Sequence, residues 1–247
     1  MPDSYSRQAT SSGNLGDCQM LVNSGHSNST DWTGQRNQSS CNVITQSAVF
    51  NLNYTGAAKS SSQPFCYRTT NSFNFYSSNT GIPTNATITS LTYKFTTGAD
   101  TTGFGVRTNT GSVYIAKGIF TDATATTAWN DMHNWASSGS YEGQITKYAD
   151  SATSVAASTT YEVNLNSTAI ADAQACVADG GSDQSFELMV IWDKDWTDNY
   201  SVSGSGFFVF NGAAIQAAET SDSSKRPYLT TTYTVGGDDA IFFGTIF

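Results

Sequence analysis

Ala86-Thr87-Ile88-Thr89-Ser90-Leu91-Thr92-Tyr93-Lys94-Phe95 alternates apolar and polar side chains, except that Ile88 is out of phase with Leu91, Tyr93 and Phe95. A period of two marks a half-buried strand, because successive side chains point to opposite faces of a sheet. The single change of phase predicts a β-bulge near Ser90, where an extra residue re-aims the strand. Working outward, the same period recurs. Ala48 to Tyr54 alternates and stops at Thr55-Gly56, which reads as a turn. Cys66 to Phe75 reads as a strand ended by Ser77-Ser78-Asn79-Thr80-Gly81. Phe104–Arg107, Ser112–Phe120 and Tyr161–Leu165 are shorter candidates. Phe186-Glu187-Leu188-Met189-Val190-Ile191-Trp192 is almost continuously apolar, as expected of a central strand. Gly206–Phe210 and Tyr228–Val235 complete the set.

Two segments have helical character. Thr168 to Val177 is rich in alanine and stops at Gly180-Gly181, and Thr126 to Ala136 spaces Trp129, Met132 and Trp135 by three residues. There is no βαβ rhythm, so a parallel nucleotide-binding sheet is not expected. The predicted class is all-β: an antiparallel, jelly-roll-like β-sandwich with one or two short helices.

That sandwich is expected over 47–235. Residues 1–46 are polar and sparse in apolar side chains, and are read as an irregular, extended arm. After Val235, Gly236-Gly237-Asp238-Asp239 leads into Ala240-Ile241-Phe242-Phe243-Gly244-Thr245-Ile246-Phe247. An uncharged run of high β-propensity is an aggregation hazard unless covered. It could be the last strand of its own sandwich, or it could add to a neighbouring protein. The Gly-Gly hinge favours the second, making Ile241, Phe242, Phe243, Ile246 and Phe247 candidate partner-binding residues of a tail over 236–247.

Composition narrows the function. The 247 residues carry 11 Lys plus Arg against 20 Asp plus Glu, a net charge of -9. That balance argues against nucleic-acid binding, which needs clustered cations to neutralise phosphates. No apolar run approaches the roughly 20 residues that a membrane helix needs. The first thirty residues lack the basic and apolar regions of a signal peptide. Cys18, Cys41, Cys66 and Cys176 form no CxxC and no zinc-finger spacing, so they read as buried thiols in a reducing compartment. A Cys18–Cys41 disulfide is the alternative.

No phosphate-binding loop, metalloprotease motif or nucleophile elbow occurs. The histidines are His26 and His133, and the proximity of Asp131 to His133 is what a polar loop supplies by chance. No glutamate pair can be nominated for glycoside hydrolysis. The chain is therefore read as a non-enzyme, with no catalytic residue, cofactor or metal assigned. Asp193, Asp195 and Asp198 offer carboxylates for calcium, but the segment lacks the glycine and terminal glutamate of an EF-hand loop. Trp192, Trp196 and Tyr200 could form a glycan-stacking platform, or pack inside the fold.

Three stretches together resemble a known family. They are Arg68–Phe75 followed by Gly81-Ile82-Pro83-Thr84-Asn85-Ala86-Thr87-Ile88, the run Asn166–Val177 leading to Phe186–Trp192, and Lys225-Arg226-Pro227-Tyr228-Leu229 closing on Tyr233. Over 66–235 the chain resembles the β-sandwich modules of tailed-bacteriophage virion proteins. It departs from them where Leu91 follows Ser90 directly, a place where those modules usually insert a small residue. The arm and tail have no counterpart. The resemblance implies a structural protein of the virion surface, made in the host cytoplasm: a capsid decoration or cement protein. Its partners would be the major capsid protein and its own copies, as a homo-oligomer, with no nucleic acid or membrane. A receptor- or carbohydrate-binding tail-fibre module is the alternative. No catalytic residue is carried over.

Overall fold

The computed structural model describes residues 3–8, 18–22, 43–46, 52–60, 63–75, 82–102, 106–118, 140–179, 185–200, 209–218 and 220–235. The strands are β1 (Asp3–Gln8), β2 (Cys18–Val22), β3 (Val43–Gln46), β4 (Leu52–Ser60), β5 (Gln63–Asn74), β6 (Ala86–Thr96), β7 (Val106–Asn109), β8 (Ser112–Lys117), β9 (Thr153–Ser154), β10 (Thr160–Asn164), β11 (Ser185–Trp192), β12 (Val209–Gln216) and β13 (Tyr228–Val235). The helices are α1 (Ser167–Asp179) and α2 (Asp193–Trp196). One sheet has the order β1-β13-β6-β10, and a nine-stranded sheet runs β7-β12-β4-β5-β11-β8-β9 with β2 and β3 attached through β5.

The bulge expected near Ser90 is present. Thr232 pairs with Ser90 and Tyr233 with Ile88, so Thr89 is the extra residue. Ile88 lies before the slip and Leu91, Tyr93 and Phe95 after it, yet all four are buried. The bulge thus keeps one face apolar across a phase change that a regular strand could not absorb.

Both sheets turn side chains into a single hydrophobic cluster. Ile88, Leu91, Tyr93, Phe95 and Leu229 come from the smaller sheet; Phe73, Val113, Ile115, Phe186, Leu188, Val190 and Ile215 come from the larger. The helix α1 adds Ala169, Ala173 and Val177, spaced i, i+4, i+8 along one face. Its start is capped by Asn166, whose Oδ1 accepts from the Thr168 and Ala169 amides, each at 3.2 Å.

Several expectations change. The stretch read as an irregular arm contributes β1, β2 and β3: β1 pairs antiparallel with β13, and β2 with both β3 and β5. A polar segment such as Asp3-Ser4-Tyr5-Ser6-Arg7-Gln8 has no apolar period to reveal it, because a neighbouring strand's backbone ladder holds it. The sheets are not wholly antiparallel either, since β7 runs parallel to β12. Gly56 does not end β4; the strand continues to Ser60. Gly56 lies opposite Gly212 of β12, with φ +148° and +147°. A Cβ on Gly56 would sit 2.3 Å from the Asn211 carbonyl oxygen. Glycine is therefore needed here for backbone approach, a role that looks like a turn in the sequence. The strand continuation Asn211–Gln216 was not expected for the same reason. The possible helix at 126–136 lies outside the described residues.

Candidate functional site

The most concentrated polar arrangement sits on the side of the larger sheet away from the main hydrophobic cluster. Arg68, in the middle of β5, meets Asp195 of α2 in a two-pronged pair. Its Nε donates to Oδ2 at 2.7 Å and its Nη2 to Oδ1 at 2.9 Å. These side chains are 1% and 0% exposed. Arg68 Nη2 also donates to the Tyr141 hydroxyl, and the guanidinium lies 5.4 Å from the Tyr141 ring centroid. Burial by itself would favour loss of the charge, but Asp195 and then Tyr141 outweigh it and push the Arg68 pKa above its ordinary value. The guanidinium thus stays charged, with the planar fork matched to a carboxylate.

Trp196 closes this node. Its ring lies 4.6 Å from Tyr114 and edge-on to Tyr141 at 6.0 Å. Its Nε1 donates to Glu142 at 3.2 Å, and Glu142 pairs with Lys147 at 2.6 Å. Hydrogen bonds from Lys147 and Trp196 hold the Glu142 carboxyl below the usual carboxylate range. Lys147 in turn lies 5.1 Å from the Tyr114 ring centroid and 5.4 Å from that of Trp196. These contacts tie Arg68, Asp195, Tyr141, Trp196, Glu142 and Lys147 into one connected group.

Two of the three candidate glycan-stacking side chains lie inside the fold. Trp192 and Trp196 are 2% and 1% exposed. Trp192 donates its indole N–H to the Thr110 carbonyl at 3.0 Å and packs edge-on with Tyr200 at 5.1 Å. A sugar stacks on an exposed ring face, and these indoles present none. Only Tyr200 of the three keeps exposed surface. Of the three carboxylates considered for calcium, Asp195 is committed to Arg68. Among the described residues no group of three His, Cys, Asp or Glu side chains could hold a metal ion.

A cleft of about 230 Å³ lies between α1, β8 and β11 and is lined by Lys117, Tyr148, Asp172, Cys176, Ser185 and Glu187, among others. Lys117 pairs with Asp172 at 2.8 Å, and the Tyr148 hydroxyl donates to the same Oδ2 at 2.7 Å. Burial, then the Asp172 and Glu187 charges, push the Cys176 thiol up to about 11. Burial and Asp172 likewise raise the Tyr148 hydroxyl. Both groups hold their protons at neutral pH, so neither is an activated nucleophile there.

The third arrangement is a strand ladder. Asp3 of β1 lies opposite Tyr233 of β13, and Gln8 opposite Tyr228. Val235, at the end of β13, is 43% exposed and is the one large exposed hydrophobic side chain among the described residues. It leads directly into the segment 236–247, so the candidate partner-binding residues Ile241, Phe242, Phe243, Ile246 and Phe247 lie outside the described residues. His26, His133 and Cys41 also lie outside them, while Cys66 is buried and Cys176 half-buried.

Sequence reasoning missed the Arg68–Asp195 node. A signal existed: a lone arginine inside a strand otherwise fit for burial must find an acidic partner. Nothing in the spacing identified Asp195, which is 127 residues away. No protein-family model matches the chain, and no curated protein matches it.

Proposed function

We propose that this chain is a structural virion protein, a capsid decoration or cement protein of a tailed bacteriophage. In this reading its two sheets form a jelly-roll-like sandwich, and its terminal segments bind neighbouring subunits: the major capsid protein and further copies of itself. The observation that carries the reading is the β1/β13 ladder. It brings the first strand and the point of departure of 236–247 to one end of one sheet, with Val235 exposed beside them. An apolar segment leaving that point would add its side chains to a partner's surface at about 25 cal/mol per Å² buried, less the cost of ordering it. Repetition over a capsid lattice multiplies such contacts by avidity. The two polar clusters fit this role because both are closed by their own partners: Arg68 by Asp195, and Asp172 by Lys117 and Tyr148.

The test compares the full chain with one ending at Val235, by light scattering and by co-sedimentation with tailed-phage capsids stripped of accessory proteins. A folded truncation that no longer sediments with capsids is the expected result. Unfolding of the truncated chain would make 236–247 a strand of its own domain. Folded truncated protein that binds capsids as well as the full chain would remove the role of the tail. Either result would return the receptor-binding alternative to first place.

A further inference from the structure

We infer that two copies of this chain join edge to edge through β1, continuing the four-stranded sheet across a twofold axis. This deepens the reading just given by naming one partner, a second copy, and the strand that receives it.

An unpaired strand edge exposes a row of N–H and C=O groups that another strand can use. Among the described residues, the edges at β7 and β8 are partly closed by the fold's own groups, while β3, which pairs only with β2, is a further end of the larger sheet. Along β7, Thr101 and Arg107 exchange backbone hydrogen bonds of 3.0 and 3.2 Å, and Asp100 accepts from the Asn109 amide at 2.8 Å. Along β8, the two-residue strand β9 is joined by Lys117 N–H to Thr146 at 2.9 Å and Tyr148 N–H to Ile115 at 2.8 Å.

In the smaller sheet, β10 covers only Thr92 to Thr96 of β6. The remaining part of β6 is capped by a side chain acting as a strand. Gln174 of α1 accepts from Ile88 N–H at 2.8 Å and donates to the Ala86 carbonyl at 2.9 Å. Leu165 N–H adds a bond to the Leu91 carbonyl at 2.9 Å. The five-residue strand β10 ends that side and exposes Glu162, a charge that discourages pairing. On the opposite side, β1 is the outermost strand, with no further strand beyond it among the described residues.

The register of β1 favours a second copy of itself. Antiparallel self-pairing centred on Tyr5 sets Asp3 of one copy opposite Arg7 of the other, twice, with Ser4 opposite Ser6. Opposite charges directly across an antiparallel pair are favourable, and like charges there are not. Moving the centre by half a residue sets Arg7 opposite Ser4 and Asp3 opposite Gln8, and both charge pairs are lost. A self-complementary strand on a twofold axis makes a closed, isologous contact that stops at two copies.

The experiment is sedimentation velocity of the full chain over a concentration series, with far-UV circular dichroism to follow the fold. A dimer is expected for the wild type. Arg7→Asp should weaken it by more than about tenfold, because two opposite-charge pairs both become like-charge pairs. The exchanged double variant Asp3→Arg/Arg7→Asp should dimerise again. Independently of these charges, Tyr5→Cys should give a disulfide-linked dimer under mild oxidation, and Gln8→Cys should not. A wild type that stays monomeric overturns the proposal. So does a dimer indifferent to Arg7→Asp, or one that the double exchange fails to restore. A dimer lost only on removing 236–247 would assign the edge to a neighbour's tail instead. No capsid enters this test, so its failure is separate from failure of the co-sedimentation experiment.

Discussion

The two faces of the larger sheet are sealed in opposite ways. One face packs Leu188, Val190, Phe186, Val113 and Ile115 against the smaller sheet and α1, by apolar contact spread over many side chains. The other face, reached by the alternate residues of the same strands, holds Arg68, Tyr114, Asp195, Trp196 and Tyr141 around one ion pair. The difference lies in how damage spreads. Apolar packing loses stability in proportion to what is removed, while a buried pair fails through the partner left behind.

The largest effect should therefore come from the second face. Asp195→Ala should cost about 3–5 kcal/mol in urea unfolding, because Arg68 is left charged and buried. The double variant Arg68→Met/Asp195→Leu should recover most of that loss, since a well-packed apolar pair can replace a buried ion pair at little net cost. If Asp195→Ala proves nearly neutral, the contrast between the faces is broken. On the apolar face, Leu188→Ala should cost about 2–5 kcal/mol, with no second substitution that restores it by charge. Calorimetry on the same set would place the two responses side by side.

Smaller effects follow at the margins. Gln174→Ala removes both bonds to β6, and should cost about 1–3 kcal/mol while raising amide exchange at Ile88. Unchanged exchange at Ile88 would mean that the edge is covered by something else.

The smallest expected effects are pH-dependent, and the two faces should loosen at opposite ends of the scale. The Glu142 pKa is lowered in the fold by Lys147 and Trp196, so its contribution is present above the ordinary carboxylate value and is lost as pH falls through the lowered one. Trp196 fluorescence should report that change in acid. The Cys176 pKa is raised to about 11 from 9.0, so its contribution is present below 9.0 and lost as pH rises toward 11. Alkylation of Cys176 should stay slow at pH 8 and accelerate steeply above 10. Rapid labelling at pH 8 would show that the thiol beside α1 is not held as the geometry requires.

Much of the strand plan was legible because strands such as β6 and β8 bury alternate side chains on one face. The β6 bulge is the clearest example, since Ile88 and Leu91 could both be buried only if the register slipped between them. The α1 face was legible from its alanine run. The polar strand β1 was not, because its partner contributes backbone hydrogen bonds that leave no mark on side-chain pattern. Gly56 reads as a turn but lies within β4 opposite Gly212, because glycine signals a turn and a close backbone approach in the same letter. Trp192 and Trp196 were ambiguous for a similar reason: an aromatic residue reads alike whether it faces a sugar or a neighbouring ring.

By itself, then, the sequence determined the β class, the bulge in β6, the helix before β11 and the exclusion of most catalytic motifs. Each of these depends on residues close together in the chain, where periodicity and local geometry act directly. Tertiary structure alone decided which strands are neighbours, that Arg68 would meet Asp195, and that Trp192 and Trp196 would be buried. Those outcomes depend on contacts between residues far apart in the chain, and burial and pairing there are settled only when the two sheets come together.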